Sequence, residues 1–535
     1  MDSRSRFRWR VTFPNAAVLT ALVLVSVWAL IEVVRSYPQV FYPRFWDEAI
    51  YAWDAVWGQI FHPLDESAEQ FAPAKLGYGM PLAVAVALFR EWGVMYLSTV
   101  AWCLTIILAG IAVARRFSGL TGWVTVAFLA YSPLLGKYVA EASPTLVAAA
   151  GFVLLWVVYP KRRFWLTGLI VGLIALIDFK WALPAALAVV AVELTVEHKQ
   201  GWKNRIIHTV GAGSTALAFL AVVGVIHPPY VDHLWSYAFG HRGIVGFEPS
   251  GIFFYYLLLF GAAPAVILSI IAYSWPAVRK TLRTYNNDAA GHVLRALVLG
   301  GVPIAFYSIF GSLKGLRFYA VAFPLIAITI GVGMSLLLRF VLYKARRLPV
   351  LPRSFVGVVA AACAVVVIVV GSDGPARHLR MDSGFPRALE RLAREAGREG
   401  TVSSYLWPVV QYGWRMPMND PPFALWGLLE SDQWVVLHPM LDRVTIDLRT
   451  RLVSRQEGNP DSIWALQRRS LLSFCDSLYS YLSDFHSSDY FLSENVVVGI
   501  PVLRRWQAMR SPDQDYTTVY RIDPNRIADN MDRGG

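Results

Sequence analysis

Runs of about 20 apolar residues, long enough to cross a bilayer, recur along most of this chain and leave few soluble folds open to it. Read as helices, they lie near 14–34, 96–114, 121–138, 143–158, 164–177, 181–195, 206–226, 251–274, 293–311, 318–338 and 354–371. The total is about eleven spans, with those at 143–195 short enough that one of them is a candidate re-entrant segment. Composition agrees with a lipid environment. The 535 residues are 56% hydrophobic and only 16% charged, whereas soluble domains carry roughly 25% charged residues.

The formal net charge of +12 does not mark a nucleic-acid surface, because the cations fall in short clusters between apolar runs rather than along one soluble face. The clusters are Arg4, Arg6, Arg8 and Arg10; Arg115 with Arg116; Lys161, Arg162 and Arg163; then the stretches 199–205, 279–283 and 339–353. They occupy every second loop. Cytoplasmic loops hold the excess of Lys and Arg, so this alternation places the N-terminus in the cytoplasm; a plasma or inner membrane is the expected location, with the outer side open between periplasm, cell exterior and organelle lumen. The N-terminal arginines resemble the charged region of a signal peptide. The apolar run after them is too long for that and meets no small-residue cleavage site before Arg35, so an uncleaved first helix is expected.

The other face then receives the loops at 35–95, 139–142, 178–181, 227–250 and 312–317, and the tail from Ser372 onward. The expected domains are a transmembrane unit over 1–374 and a soluble extracytoplasmic unit over 375–535, which is long enough to bury a core of its own. Phe385, Leu389 and Leu392 fall at i, i+4 and i+7 ahead of Gly397 and Gly400, which predicts an amphipathic helix. Strand-type runs at 401–407, 434–438 and 496–503, with a helix over about 463–482, make the tail mixed α/β. Cys103 and Cys363 sit in apolar runs and Cys475 is alone in the tail, so no disulfide or zinc framework is implied.

The first outer loop holds Trp46, the acidic pair Asp47 and Glu48, and then Ile50, Trp53 and Trp57 at helical spacing. That is the pattern of a helix lying in the membrane interface with an acid at its start, where an N-cap role is the plain alternative to chemistry. The stretch 75–89 opens with Lys75-Leu-Gly-Tyr78-Gly-Met-Pro81-Leu and is too short to span comfortably, so it predicts a second interfacial helix. Two such helices between the first and second spans are distinctive.

This arrangement resembles the GT-C membrane glycosyltransferases, in particular the branch of protein O-mannosyltransferases and lipid A sugar transferases. The likeness rests on the ordered series Asp47-Glu48, Gly79-Met80-Pro81-Leu82, Phe89 to Gly93, Arg116-Phe-Ser-Gly, Leu129-Ala-Tyr-Ser-Pro133, Gly168-Leu-Ile-Val-Gly-Leu to Asp178-Phe-Lys180, and Lys314-Gly-Leu-Arg317-Phe-Tyr319 to Pro324. Met80 replaces the first proline of the family's Pro-Pro-Leu element. The resemblance covers about residues 15–340 and implies an all-α GT-C-like fold. It implies a hexosyl- or pentosyltransferase that moves a sugar from a polyprenyl-phosphate donor to a glycan, lipid or protein hydroxyl outside the cytoplasm.

Such a reaction needs a base for the attacking hydroxyl and cations where charge grows on the leaving phosphate. The resemblance assigns Asp47 as base, with Glu48 and Glu141 as supporting acids. Lys180, Lys314 and Arg317 become the donor phosphate ligands, and Trp46, Tyr51, Tyr78, Asp178 and Tyr319 the substrate cavity. Each has a plainer alternative: Glu141 snorkelling to the interface, Asp178 and Lys180 neutralising each other, Lys314 and Arg317 resting at headgroups. The reading calls for no cofactor. His227, His233 and His241 with Asp232 and Glu248 are the candidates for a divalent metal, but their spacing fits no standard site. Expected partners are the lipid-linked donor, the acceptor and membrane lipids, not nucleic acid. A transporter or flippase would place its charges nearer mid-membrane on repeated halves; a non-catalytic assembly protein on the same scaffold is the other alternative.

Overall fold

The computed structural model describes residues 75–130, most of 132–231, and 263–276, 288–310 and 316–345, together with Val27, Leu30, Ile31 and Tyr51. In the tail it describes 385–396, 402–403, 434–437, 475–482 and most of 516–526. Asp47, Glu48, Trp46, Glu141 and Lys314 lie outside these residues, as do the expected span at 354–371, most of those at 14–34 and the first half of that at 251–274.

The described helices of the apolar part are α1 (Leu76–Phe89), α2 (Gly93–Arg116), α3 (Gly119–Ala130), α4 (Thr145–Val158), α5 (Phe164–Ile177), α6 (Ala182–Thr195), α7 (Trp202–Ile226), α8 (Ala263–Ser274), α9 (Ala289–Phe310) and α10 (Phe323–Ala345). Their order follows the apolar runs. Three of them, α2, α7 and α9, are long and apolar enough to cross a membrane, as in an integral membrane protein. The 14-residue α4, α5 and α6 rise only about 21 Å at 1.5 Å per residue, against a hydrocarbon core of about 30 Å. The segment expected as a second interfacial helix is α1. The expected tenth span begins later than its apolar run, because Leu316–Ala320 is a separate short helix, with a turn at Val321 and Ala322 before Pro324 enters the first turn of α10.

α5 and α7 run parallel, with Phe164 against Gly211, Gly168 against Ala212 and Thr215, and Gly172 against Phe219. The start of α1 approaches the end of α5 closely, α2 lies against α3 and α4, α7 against α5, α9 against α6 and α10, and α8 against α10. The core is aromatic, with Trp102, Tyr138, Phe152, Trp156 and Phe323 fully buried. On α5, a Cβ at Gly168 would strike the Ala212 carbonyl and the Thr215 side chain of α7.

One end of the bundle holds a buried charge network. Glu193 of α6 accepts from the Tyr159 hydroxyl at 2.6 Å and from both terminal nitrogens of Arg162 at 3.0 and 3.2 Å, and lies 2.8 Å from Nδ1 of His208 on α7. Arg162 reaches this position from a left-handed backbone conformation (φ 50°) in the turn between α4 and α5. Glu197 accepts from Nε of Arg295 on α9 at 2.6 Å, and Arg295 donates to Asp288 at 2.6 Å. Arg116, at the end of α2, donates to the Val157 carbonyl at 2.6 Å and lies over the Trp156 ring. Arg116 and Arg162 belong to basic clusters expected in the cytoplasm, and the other groups come from the adjoining ends of α4, α6, α7 and α9.

In the tail, α11 (Phe385–Ala396) buries Leu389 and Leu392, two of the three positions expected from the spacing, and Ala388 beside them. The sheet is β1 (Val402–Ser403), β2 (Trp434–Leu437), β3 (Cys475–Leu482) and β4 (Tyr516–Ile522) in the order β1-β2-β4-β3. Only the β1–β2 pair is parallel. The helix expected over 463–482 is wrong across its last eight residues, which form β3. Ser477, Ser480 and the tyrosines at 479 and 481 favour a pleated strand, β4 supplies the ladder, and a bulge between Ser477 and Tyr479 breaks the alternation that would have revealed it. The expected strand at 496–503 lies outside the described residues, and β4 was not anticipated. The boundary at 374 lies outside them too.

Candidate active site

At the bundle end opposite the charge network, the junction of α5 and α6 is a single 3-10 turn, Phe179–Trp181, preceded by extended Asp178. Three contacts fix it. Oδ1 of Asp178 accepts the Lys180 backbone N–H at 3.2 Å, Oδ2 of Asp178 pairs with the Lys75 ammonium at 3.6 Å, and the Tyr307 hydroxyl of α9 donates to the Lys180 carbonyl at 2.8 Å.

The Asp178–Lys75 pair is deeply buried, with side chains 9% and 7% exposed. Lys75 also donates to the Tyr51 hydroxyl, and its ammonium lies 4.9 Å from the centre of that ring. Tyr51 packs edge-on against Tyr78, centroids 5.2 Å apart. Gly77 makes this meeting possible: a Cβ there would stand 2.9 Å from the backbone nitrogen of Ile177, so the start of α1 lies directly on the end of α5. The expected neutralisation of Asp178 by the Lys180 ammonium gives way to a pairing with Lys75, because the residue two along in a 3-10 turn presents its N–H, not its side chain, to the preceding carboxylate.

Lys180 instead extends over the ring of Phe318, its ammonium 5.7 Å from the centroid. Arg317 approaches the same ring, its guanidinium carbon 5.5 Å away. Two of the cations singled out in the sequence, 137 positions apart, thus approach one aromatic ring. Phe318 stacks on Tyr307 at 4.7 Å and 16°, and Tyr307 packs on Trp181 at 4.7 Å. Trp181 in turn meets Phe152 edge-on. Tyr319 is fully buried and receives the Ser308 hydroxyl at 3.4 Å.

Of the expected cavity residues, Tyr51, Tyr78, Asp178 and Tyr319 are all buried beside this turn or the 316–320 helix. Lys180 and Arg317 are half-buried. Three participants escape sequence reasoning. Lys75 reads as a boundary lysine ahead of an apolar run, and only its 5% exposure distinguishes it. Tyr307 and Phe318 are aromatics in apolar stretches, with no local signal for a site. Among the described residues, no group of three His, Cys, Asp or Glu side chains could hold a metal ion; of the loop candidates, only His227 is among them.

The sequence matches no family model and no curated protein. Its fold does have solved counterparts. ArnT from Cupriavidus metallidurans in the apo state shares 15% identity over 75% of this chain and 86% of that one, with a TM-score of 0.50. The same enzyme bound to undecaprenyl phosphate gives 15% identity, 76% and 86% coverage and a TM-score of 0.50. The apo oligosaccharyltransferase of Archaeoglobus fulgidus gives 11% identity, 88% and 74% coverage and a TM-score of 0.54. At these identities the likeness speaks for architecture, and it agrees with the order of motifs along the chain: this protein has the GT-C fold of membrane glycosyltransferases.

Proposed function

We propose that this protein is a polyprenyl-phosphate-sugar-dependent glycosyltransferase acting on the non-cytoplasmic face of its membrane. The observation that carries the reading is the convergence of Lys180 and Arg317 on Phe318, beside the buried Lys75–Asp178 pair and opposite the basic loops. Two cations presented beside one ring both attract an anion that comes within their reach. An arginine fork and a lysine point charge suit a phosphate group, and Lys314, three positions before Arg317 in the sequence, is a third cation for it. ArnT, which has the same fold, is known bound to undecaprenyl phosphate. The donor of the present protein is, on this reading, a sugar on the same kind of lipid phosphate.

The reaction is a displacement at the anomeric carbon. An acceptor hydroxyl oxygen attacks, the bond from that carbon to the phosphate oxygen breaks, and the departing polyprenyl phosphate keeps the electron pair. Asp47 takes the hydroxyl proton, with Glu48 and Glu141 as the supporting acids. Lys180, Lys314 and Arg317 receive the charge that grows on the phosphate. Tyr51 and Tyr78, packed edge-on beside Lys75, line the substrate cavity on this reading, together with Trp46 of the same outer loop. The N-terminus is cytoplasmic and the domain from about 375 onward lies outside, next to the acceptor, which is a glycan, a lipid or a protein.

Asp47→Asn tests the base: transfer by correctly inserted protein should fall by about 10²–10⁴-fold, the usual share of a general base. A wild-type rate would remove Asp47 from that role. Lys180→Met and Arg317→Met test the anion site. Each should weaken undecaprenyl phosphate binding by roughly tenfold or more, the worth of a charge-assisted hydrogen bond.

A further inference from the structure

Lys180 and Arg317 sit on separate segments, the 3-10 turn between α5 and α6 and the short helix Leu316–Ala320, and one side chain touches both. The Tyr307 hydroxyl donates to the Lys180 carbonyl, while the Tyr307 ring stacks on Phe318, the ring against which both cations lie. We propose that Tyr307 is a positioning residue that sets the distance between these two cations, and so the fit of the donor phosphate. The inference rests on the phosphate reading of Lys180 and Arg317.

The backbone geometry gives the reason. Lys180 has both of its own peptide groups held by side chains from outside the turn's hydrogen bonding: its N–H by Asp178 and its carbonyl by Tyr307. Without the tyrosine hydroxyl, the carbonyl would lose its partner in a site whose walls are Trp181, Phe152 and Phe318, and the turn would rotate to find another. Rotation moves the Cα from which the long lysine side chain projects. Lysine loses up to about 2 kcal/mol of rotamer freedom when ordered, so a fixed Cα lowers what the phosphate must supply to hold the ammonium. The same phenol cannot shift without disturbing Phe318, because their rings stack nearly parallel at 4.7 Å.

The test is a double-mutant cycle on the full-length protein in nanodiscs, with labelled undecaprenyl phosphate as probe and undecaprenol as the phosphate-free control. Tyr307→Phe keeps the ring and removes only the hydroxyl. It should weaken undecaprenyl phosphate binding about 2–10-fold, the effect of one neutral hydrogen bond, and leave undecaprenol binding unchanged. Adding Tyr307→Phe to Lys180→Met should cost nothing beyond Lys180→Met alone, since the hydroxyl acts through that lysine. The proposal is overturned if Tyr307→Phe binds the phosphate as wild type does, if it weakens both probes equally, or if its full factor persists in the Lys180→Met background. Wild-type binding by Lys180→Met itself would instead overturn the phosphate reading of Lys180, a result obtained without touching Tyr307.

Discussion

Lys75 and Asp178 hold opposite charges in a setting where neither can reach bulk water, and removing one takes this ion pair from the other while it stays buried. Lys75→Met or Asp178→Leu should each destabilise the protein by about 3–5 kcal/mol, while the two together should cost far less, because a buried pair replaced by apolar groups is often neutral. Unfolding followed in detergent measures the three variants; equal and additive losses would mean that the pair is not the interaction that matters. The sequence shows little of this. Asp178 and Lys180 stand out as charges at the edge of an apolar run, but the true partner of Asp178 is 103 positions away, and its type and spacing say nothing of burial. Arg317 and Lys180 were readable as cations on one side, from loop charge. Their meeting on Phe318 depends on how α9 turns Tyr307 toward both segments, which no local pattern records.

Helices were legible where apolar runs were uninterrupted, and α2, α7 and α9 follow from length alone. The turn that delays α10 was not, since Phe318 to Ala322 is as apolar as the helix after it and only the chain's path to Pro324 separates them. Close approaches between elements rest on particular glycines. Gly168→Val should force α5 away from the Ala212 carbonyl of α7 and lower the thermal midpoint; an unchanged midpoint would mean that the two helices separate freely. In the tail, α11 was visible through its amphipathic stripe, whereas β3 was mistaken for helix because strand pairing is set by β4, more than thirty residues later. Burial in β3, with Asp476 adding to it, pushes the Cys475 thiol up to about 11. The thiolate is the reactive form, so Cys475 should react slowly with alkylating reagents near pH 7 and faster as pH rises toward that value, while denaturation should abolish the protection. Rapid alkylation of the folded protein at neutral pH would contradict the buried placement.

At the scale of the whole molecule, helix ends sort into two groups. The end of α2, the α4–α5 turn, the end of α6 and the starts of α7 and α9 meet in the network around Glu193 and Glu197. The start of α1, the α5–α6 turn and the end of α9 meet around Lys180. This sorting of helix ends has the same alternation as the loop charges, from which the cytoplasmic placement of the first group is expected. The proposed chemistry needs the second group to act as one anion site and Asp47 of the first outer loop to act as its base. Incubating the purified protein with a series of labelled polyprenyl-phosphate sugars and an envelope extract as acceptor tests that directly. The account predicts release of free polyprenyl phosphate from one donor, matched by label in the acceptor, and loss of both with Asp47→Asn. Turnover that survives in Asp47→Asn, or lipid-linked sugar that crosses the membrane uncleaved, would contradict it.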